Sequence, residues 1–115
     1  MNFVIKGNTV ETLKLTEDST IKWGITHKNG ALNYSMRYIE VDAGGSTPDH
    51  LHFYEHEIFI IDGSGKTIID GQEESFGPGD FIFIPGGKKH TIKADKKLKM
   101  ICVVPIEAAR MLLGD

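Results

Sequence analysis

His50, His52, His56 and His90 are four of the five histidines in this chain, and their spacing is that of ligands converging on one transition-metal ion. On a strand, residues i and i+2 face the same side about 6.5–7 Å apart, so His50 and His52 can reach one ion from one extended segment. His56 follows a short bend at residues 53–55, and His90 has to arrive from a neighbouring strand. Neutral imidazole suits manganese, iron, nickel, copper and zinc, whereas magnesium and calcium take oxygen ligands. Taken singly, each histidine reads as an ordinary surface or core residue of a β protein. The set of four at these intervals reads as a metal site.

Two glycine-punctuated segments carry them. In the first, five residues separate Gly44 from His50, and the segment runs through His52, His56 and Glu57 to Gly63. In the second, Gly79, Pro85, Gly87 and His90 follow the pattern G-x5-P-x-G-x2-H. Together they resemble the paired motifs of the cupin superfamily, G-x5-H-x-H-x3-4-E-x6-G and G-x5-P-x-G-x2-H-x3-N. The chain departs from them twice. The usual glutamate ligand has two candidates, His56 and Glu57, and six residues separate His56 from Gly63 against five for Glu57, so His56 keeps the register. Ala94 stands where asparagine is usual, which bears on a turn and not on a ligand. The resemblance, over about residues 20–105, is to the small four-histidine cupins. It implies a double-stranded β-helix, or jelly-roll barrel, a single divalent transition metal held by His50, His52, His56 and His90, and a homodimer.

The elements that must position these groups are strands. Alternation in residues 36–42 sets Glu40 and Asp42 outward and turns Arg37, Ile39 and Val41 inward. In residues 97–104, Lys97 and Lys99 face out while Leu98, Met100, Cys102 and Val104 face in. His90 and Ile92 share a face opposite Thr91 and Lys93. The cavity is therefore expected to hold the metal together with Arg37, Met100, Cys102 and Val104, with Arg37 orienting a substrate. Arg37 also has a plain structural reading, its stem packed and its head meeting a carboxylate or leaving at the rim, and Cys102 reads more readily as an inert buried thiol than as a nucleophile. Residues 81–84 (Phe-Ile-Phe-Ile) are apolar on both faces, so their outer face needs a cover; the segment Phe3-Val4-Ile5 is a second candidate for the dimer contact. Asn29-Gly30, Asp62-Gly63 and Asp70-Gly71 read as hairpin turns. Pro105 and Gly114 bracket a short C-terminal helix. His27, outside both motifs, reads as a surface residue.

Composition agrees with one small all-β domain over residues 1–115. The 115 residues include 13 glycines and four prolines, 40% are hydrophobic and 25% charged. One cysteine cannot close an internal disulfide, no apolar run reaches the roughly 18 residues of a membrane span, and the N-terminus lacks a charged-then-apolar signal pattern. A cytoplasmic protein is expected. Lys88, Lys89, Lys93, Lys96, Lys97 and Lys99 cluster late in the chain, yet the net charge is −3 and no aromatic residues are interleaved with them. A solvated strand face is expected, not a nucleic-acid surface.

Four neutral ligands leave the ion's double charge uncompensated, which favours an anionic ligand, and Arg37 adds a bidentate partner for a carboxylate. A six-coordinate ion keeps two positions open, enough for substrate and dioxygen. The expected function is a metal-dependent oxidoreductase of the dioxygenase type using manganese or iron on a small oxygenated or anionic molecule. Redox-neutral isomerase or lyase chemistry is the alternative within catalysis. A non-catalytic module that binds a metal or a small molecule is the alternative outside it, because all four motif histidines are spent on the metal and none is left as a general base.

Overall fold

The alternation in residues 36–42 and 97–104 proves to be the pairing of two neighbouring strands. β3 (Tyr34–Val41) and β9 (Leu98–Pro105) run antiparallel in unbroken register, with Arg37 opposite Cys102 and Ile39 opposite Met100. Ser35, Arg37, Ile39 and Val41 are buried from one strand, and Leu98, Met100, Cys102 and Val104 from the other. No bulge interrupts the ladder, so the period of two carries through from sequence to wall.

This computed structural model describes residues 3–115; Met1 and Asn2, on which the reading of the N-terminus begins, lie outside the described residues. The remaining strands are β1 (Leu13–Thr16), β2 (Ser19–Ile25), β4 (His56–Asp62), β5 (Gly65–Ile69), β6 (Gln72–Phe76), β7 (Phe81–Ile84) and β8 (His90–Ala94), and α1 (Ile106–Leu113) closes the chain. Six strands form one sheet in the order β1-β2-β3-β9-β4-β7, and three form the second in the order β6-β5-β8. Residues 44–50 widen the smaller sheet beside β8. There the Gly44 N–H donates to the Ala94 carbonyl at 2.9 Å, Thr47 to Ile92 at 2.9 Å, and His50 and His90 exchange a reciprocal pair at 2.9 and 2.8 Å. The fold is a jelly-roll with a short C-terminal helix. Between its sheets Val41, Ile60, Ile84, Leu98, Met100 and Val104 are fully buried, each contributing about 1.5–3 kcal/mol of apolar burial.

Of the three expected hairpin turns, only Asp70-Gly71 is one. It joins β5 to β6 with both residues at positive φ, 52° and 81°, the twist a two-residue hairpin requires. Asp62-Gly63 instead carries the chain from the six-stranded sheet to the three-stranded one. Asn29 ends a 3-10 turn (His27–Asn29), capped by the Thr26 side chain and followed by left-handed Gly30. Pro105 is the N-cap of α1 and not its first helical residue. His27 is not a free surface residue: its Nε2 lies 2.6 Å from the Gly114 carbonyl oxygen and ties the 3-10 turn to the end of α1.

Three of the late lysines are paired with carboxylates, Lys88 with Asp70, Lys89 with Asp49 and Lys97 with Glu40. Among the described residues no helix is long and apolar enough to cross a membrane.

Candidate metal centre

Each of the four motif histidines is placed by a different local device. His56 opens β4 with its side chain buried, and Glu57, next along the strand, is exposed on the opposite face. Strand alternation thus turns His56, and not Glu57, toward the interior. His90 opens β8 directly opposite His50, which lies on an extended segment joined to β8 only by isolated bridges and not on a regular strand. His52 is fixed through its backbone: its carbonyl accepts the Gly87 N–H at 2.6 Å. At Gly86 a Cβ would overlap the Phe53 carbonyl oxygen, so the loop after β7 closes on residues 52–53 only without side chains there.

The ligand atoms of His52, His56 and His90 lie within 4.8 Å of one another. His50 stands beside this trio: its Nδ1 is 3.0 Å from Nε2 of His52, with the two rings edge to face. The donor chemistry of the trio suits a metal. His90 Nδ1 donates to the Lys88 carbonyl oxygen at 2.9 Å, which leaves the lone pair on Nε2; a ring held in one tautomer by a backbone carbonyl is what metal-binding histidines show. His56 Nε2 is buried without any hydrogen-bond partner. A buried polar atom is rarely left so, unless the site is completed by a ligand. Three imidazoles therefore stand in position to hold a metal ion.

The surroundings disfavour protonation of His50, His52 and His56. Burial, reinforced by Arg37 and the other histidines, brings His56 down to about 3. Burial together with His50 and His90 brings His52 down to about 4, and burial lowers His50 as well. In the unfolded chain these groups take up protons near pH 6.5, so below that pH the unfolded state binds more protons than the folded one. Folding stability of the metal-free protein is thus expected to be insensitive to these histidines above about pH 6.5 and to fall as pH drops from there through about 4 and on to about 3. Thermal melts of chelated protein across this window check it, and a midpoint constant from pH 7 to pH 4 would contradict it.

The histidines share one cavity of about 280 Å³ with Arg37, Met100 and Cys102. Val104 was expected there and is absent from the lining; it is buried nearer the helix end of β9, opposite Ser35. Several lining residues were not anticipated. Trp23 lies across from Arg37 on β2, and Tyr54 stacks on His52 with ring centres 4.6 Å apart. Leu13 and Leu15 of β1 and Leu112 and Leu113 of α1 complete the apolar wall. Trp23 had a readable signal, since Ile21 and Trp23 alternate with Thr20 and Lys22. Tyr54 had none, because it falls in the bend. Among the described residues no aspartate or glutamate lines the cavity.

With this geometry in view, comparisons with known proteins agree on one ancestry. Residues 37–104 match the Cupin_2 family, described as a cupin domain. Among solved structures, the polyketide cyclase RemF from Streptomyces resistomycificus is 29% identical and superposes with a TM-score of 0.79 over 92% of this chain and 80% of its own. Among curated proteins, a quercetin 2,3-dioxygenase from Bacillus subtilis is 30% identical over 78% of this chain and 27% of its own length. An L-ectoine synthase from Rhodococcus erythropolis is 24% identical over 63% of this chain and 56% of its own. The chain thus spans little more than half of one of these curated relatives and about a quarter of the other.

Proposed function

The chain belongs to the Cupin_2 family of cupin domains, and from that premise we propose that it is a metal-dependent enzyme of the dioxygenase type acting on a small oxygenated molecule that binds as an anion. The observation that carries the reading is the make-up of the cavity: clustered imidazoles and a buried arginine, in a largely apolar wall to which no carboxylate among the described residues contributes. His52, His56 and His90 would hold the ion, with His50 as the fourth ligand. Manganese or iron is favoured for this donor set, and nickel, copper and zinc are compatible with it. Manganese or iron there would supply Lewis acidity and one-electron chemistry with dioxygen, whereas zinc would supply Lewis acidity alone. The chain's own residues do the rest. Burial keeps the Tyr54 phenol protonated, so it serves as a hydrogen-bond donor to a substrate oxygen, and the leucine and isoleucine wall keeps bulk water from the reacting end. Similarity to a quercetin 2,3-dioxygenase supports the oxidative reading.

Redox-neutral chemistry of the isomerase or lyase kind is the second reading. The similarity to a polyketide cyclase over 92% of the chain favours it. Metal analysis of protein purified without an affinity tag, followed by oxygen uptake with a panel of small acids and diketones, separates the two. Oxygen consumed in step with substrate supports the first; product formed without oxygen supports the second. Metal binding with no turnover on the whole panel would leave a binding module.

We also propose that the protein is a homodimer, joined through the outer face of β7 and β4. β7 is an edge strand, its Phe81 and Phe83 are 82% and 57% exposed, and Phe81 meets the half-exposed Phe59 with ring centres 5.0 Å apart. Phe3 and Val4 are exposed as well. An apolar patch on an unpaired sheet edge invites a partner. Light scattering is expected to give the dimer mass at micromolar concentration and the monomer mass for Phe81→Glu. A wild-type monomer would remove the argument.

A further inference from the structure

Arg37 is a buried cation that the protein itself leaves unneutralised. It is 8% exposed, and no ion pair among the described residues involves it. Its place is fixed by cross-strand pairing, for Trp23 on β2, Arg37 on β3 and Cys102 on β9 stand directly opposite one another in a row across the sheet. The guanidinium carbon sits 5.0 Å from the centre of the Trp23 ring, and Nη2 donates to Cys102 Sγ at 2.8 Å. Nε is buried with no partner. Neither neighbour cancels the charge. The indole offers only its quadrupole, and Cys102 is so deeply buried that its thiol is held protonated despite the arginine. Burying a charge without a counterion is strongly unfavourable, and a planar fork held over an indole ring is suited to bidentate recognition of a carboxylate.

We propose that the Trp23–Arg37–Cys102 row is a carboxylate-binding subsite, and that the molecule taken by this cavity is a carboxylic acid with an apolar body of one or two rings. This rests on the reading of the cavity as a substrate site and names the class of substrate. The apolar body follows from the wall, where Leu15, Ile39, Ile58, Ile92 and Met100 surround the polar groups. The size follows from the volume: the cavity measures about 280 Å³, whereas about 150 Å³ is enough for benzene. A metal at the histidines would add positive charge to that of Arg37, so an acid held by the guanidinium would also ease their mutual repulsion.

The test uses benzoate against its neutral isostere benzamide, with acetate as the headgroup alone. The chain has one tryptophan, and it stacks on Arg37, so Trp23 fluorescence reports occupancy without turnover. Titrations are run on the full chain as purified and after chelation. Benzoate is expected to give a saturable change, with benzamide and acetate each at least about tenfold weaker. Arg37→Gln is expected to weaken benzoate by about ten- to a hundredfold and leave benzamide unchanged, the range for losing a hydrogen bond to a charged group. Should that variant not fold, Arg37→Lys keeps the charge and loses the fork, and it is expected to bind benzoate more weakly than wild type. Equal binding of benzoate and benzamide, no benzoate binding at millimolar concentration, or undiminished benzoate binding by the variant that folds would overturn the proposal. Metal content is assayed on the same proteins. A failed subsite with metal bound leaves the metal reading standing, and a missing metal with an intact subsite removes the metal reading alone.

Discussion

Alanine in place of His56 is expected to strip the protein of its metal. His56 is buried, burial brings its pKa down to about 3, and its unpartnered Nε2 is the atom that an ion would satisfy. Its neighbours cannot replace it, because Glu57 points to solvent and Tyr54 is a protonated phenol. Changes to groups that merely orient a ligand cost about 10–100-fold in metal affinity, so loss of a ligand should cost more than about a hundredfold. His90→Ala should behave alike. His50→Ala should cost less, since three imidazoles remain and three protein ligands are enough to hold an ion such as zinc. Metal content by mass spectrometry, with circular dichroism to confirm the fold, reads all three. Undiminished metal in His56→Ala would refute the assignment of the centre, and a His50→Ala variant as empty as His56→Ala would show that all four ligands are indispensable.

Gly63→Ala is expected to destabilise the fold strongly, because the site combines a positive φ with a backbone clash. Gly63 has φ of 92°, and a Cβ there would overlap the carbonyl of Lys97, which is backbone and cannot rotate away. The residue sits where the chain leaves β4 for the other sheet, its N–H held by the Asp62 carboxylate at 2.9 Å. The next residue, Ser64, accepts the N–H groups of Asp95 and Lys96. Yielding at this point would pull apart the stitching between the β8–β9 turn and the crossover. Strain at positive φ costs about 1–3 kcal/mol, and displacing packed backbone adds to it, so a total above about 3 kcal/mol is expected, a large part of a small domain's usual 5–15 kcal/mol. Gly77→Ala is the control: a Cβ there meets nothing within 4 Å, and a shift within about 0.5 kcal/mol is expected. Denaturant unfolding of both variants checks the contrast, and equal midpoints would show that the crossover tolerates a side chain.

That second variant explains what the glycine motif records. Gly63 is a spacing mark in the sequence, and the spacing from it selected His56 over Glu57. The reason it must be glycine is visible only when Lys97, 34 positions later, is seen against it. Gly86 is similar, because the carbonyl that excludes its side chain belongs to Phe53.

The amino-acid order carried the fold class through the resemblance of its two glycine-punctuated segments to the cupin motifs, and the inward direction of Arg37, Met100 and Cys102 through strand alternation. The alternation survived because β3 and β9 pair without a bulge over their whole length. Tertiary structure decided the rest. It put His50 against His52 and left His52, His56 and His90 as the close cluster. It kept Val104 out of the cavity and turned Asp62-Gly63 into a sheet crossover. It brought Trp23, Tyr54 and the α1 leucines to the same wall. Each of these outcomes depends on which strands become neighbours and on how far apart two sheets stand. The order β3-β9-β4-β7 joins segments tens of residues apart, and alternation along any one strand carries no information about its partner across the barrel.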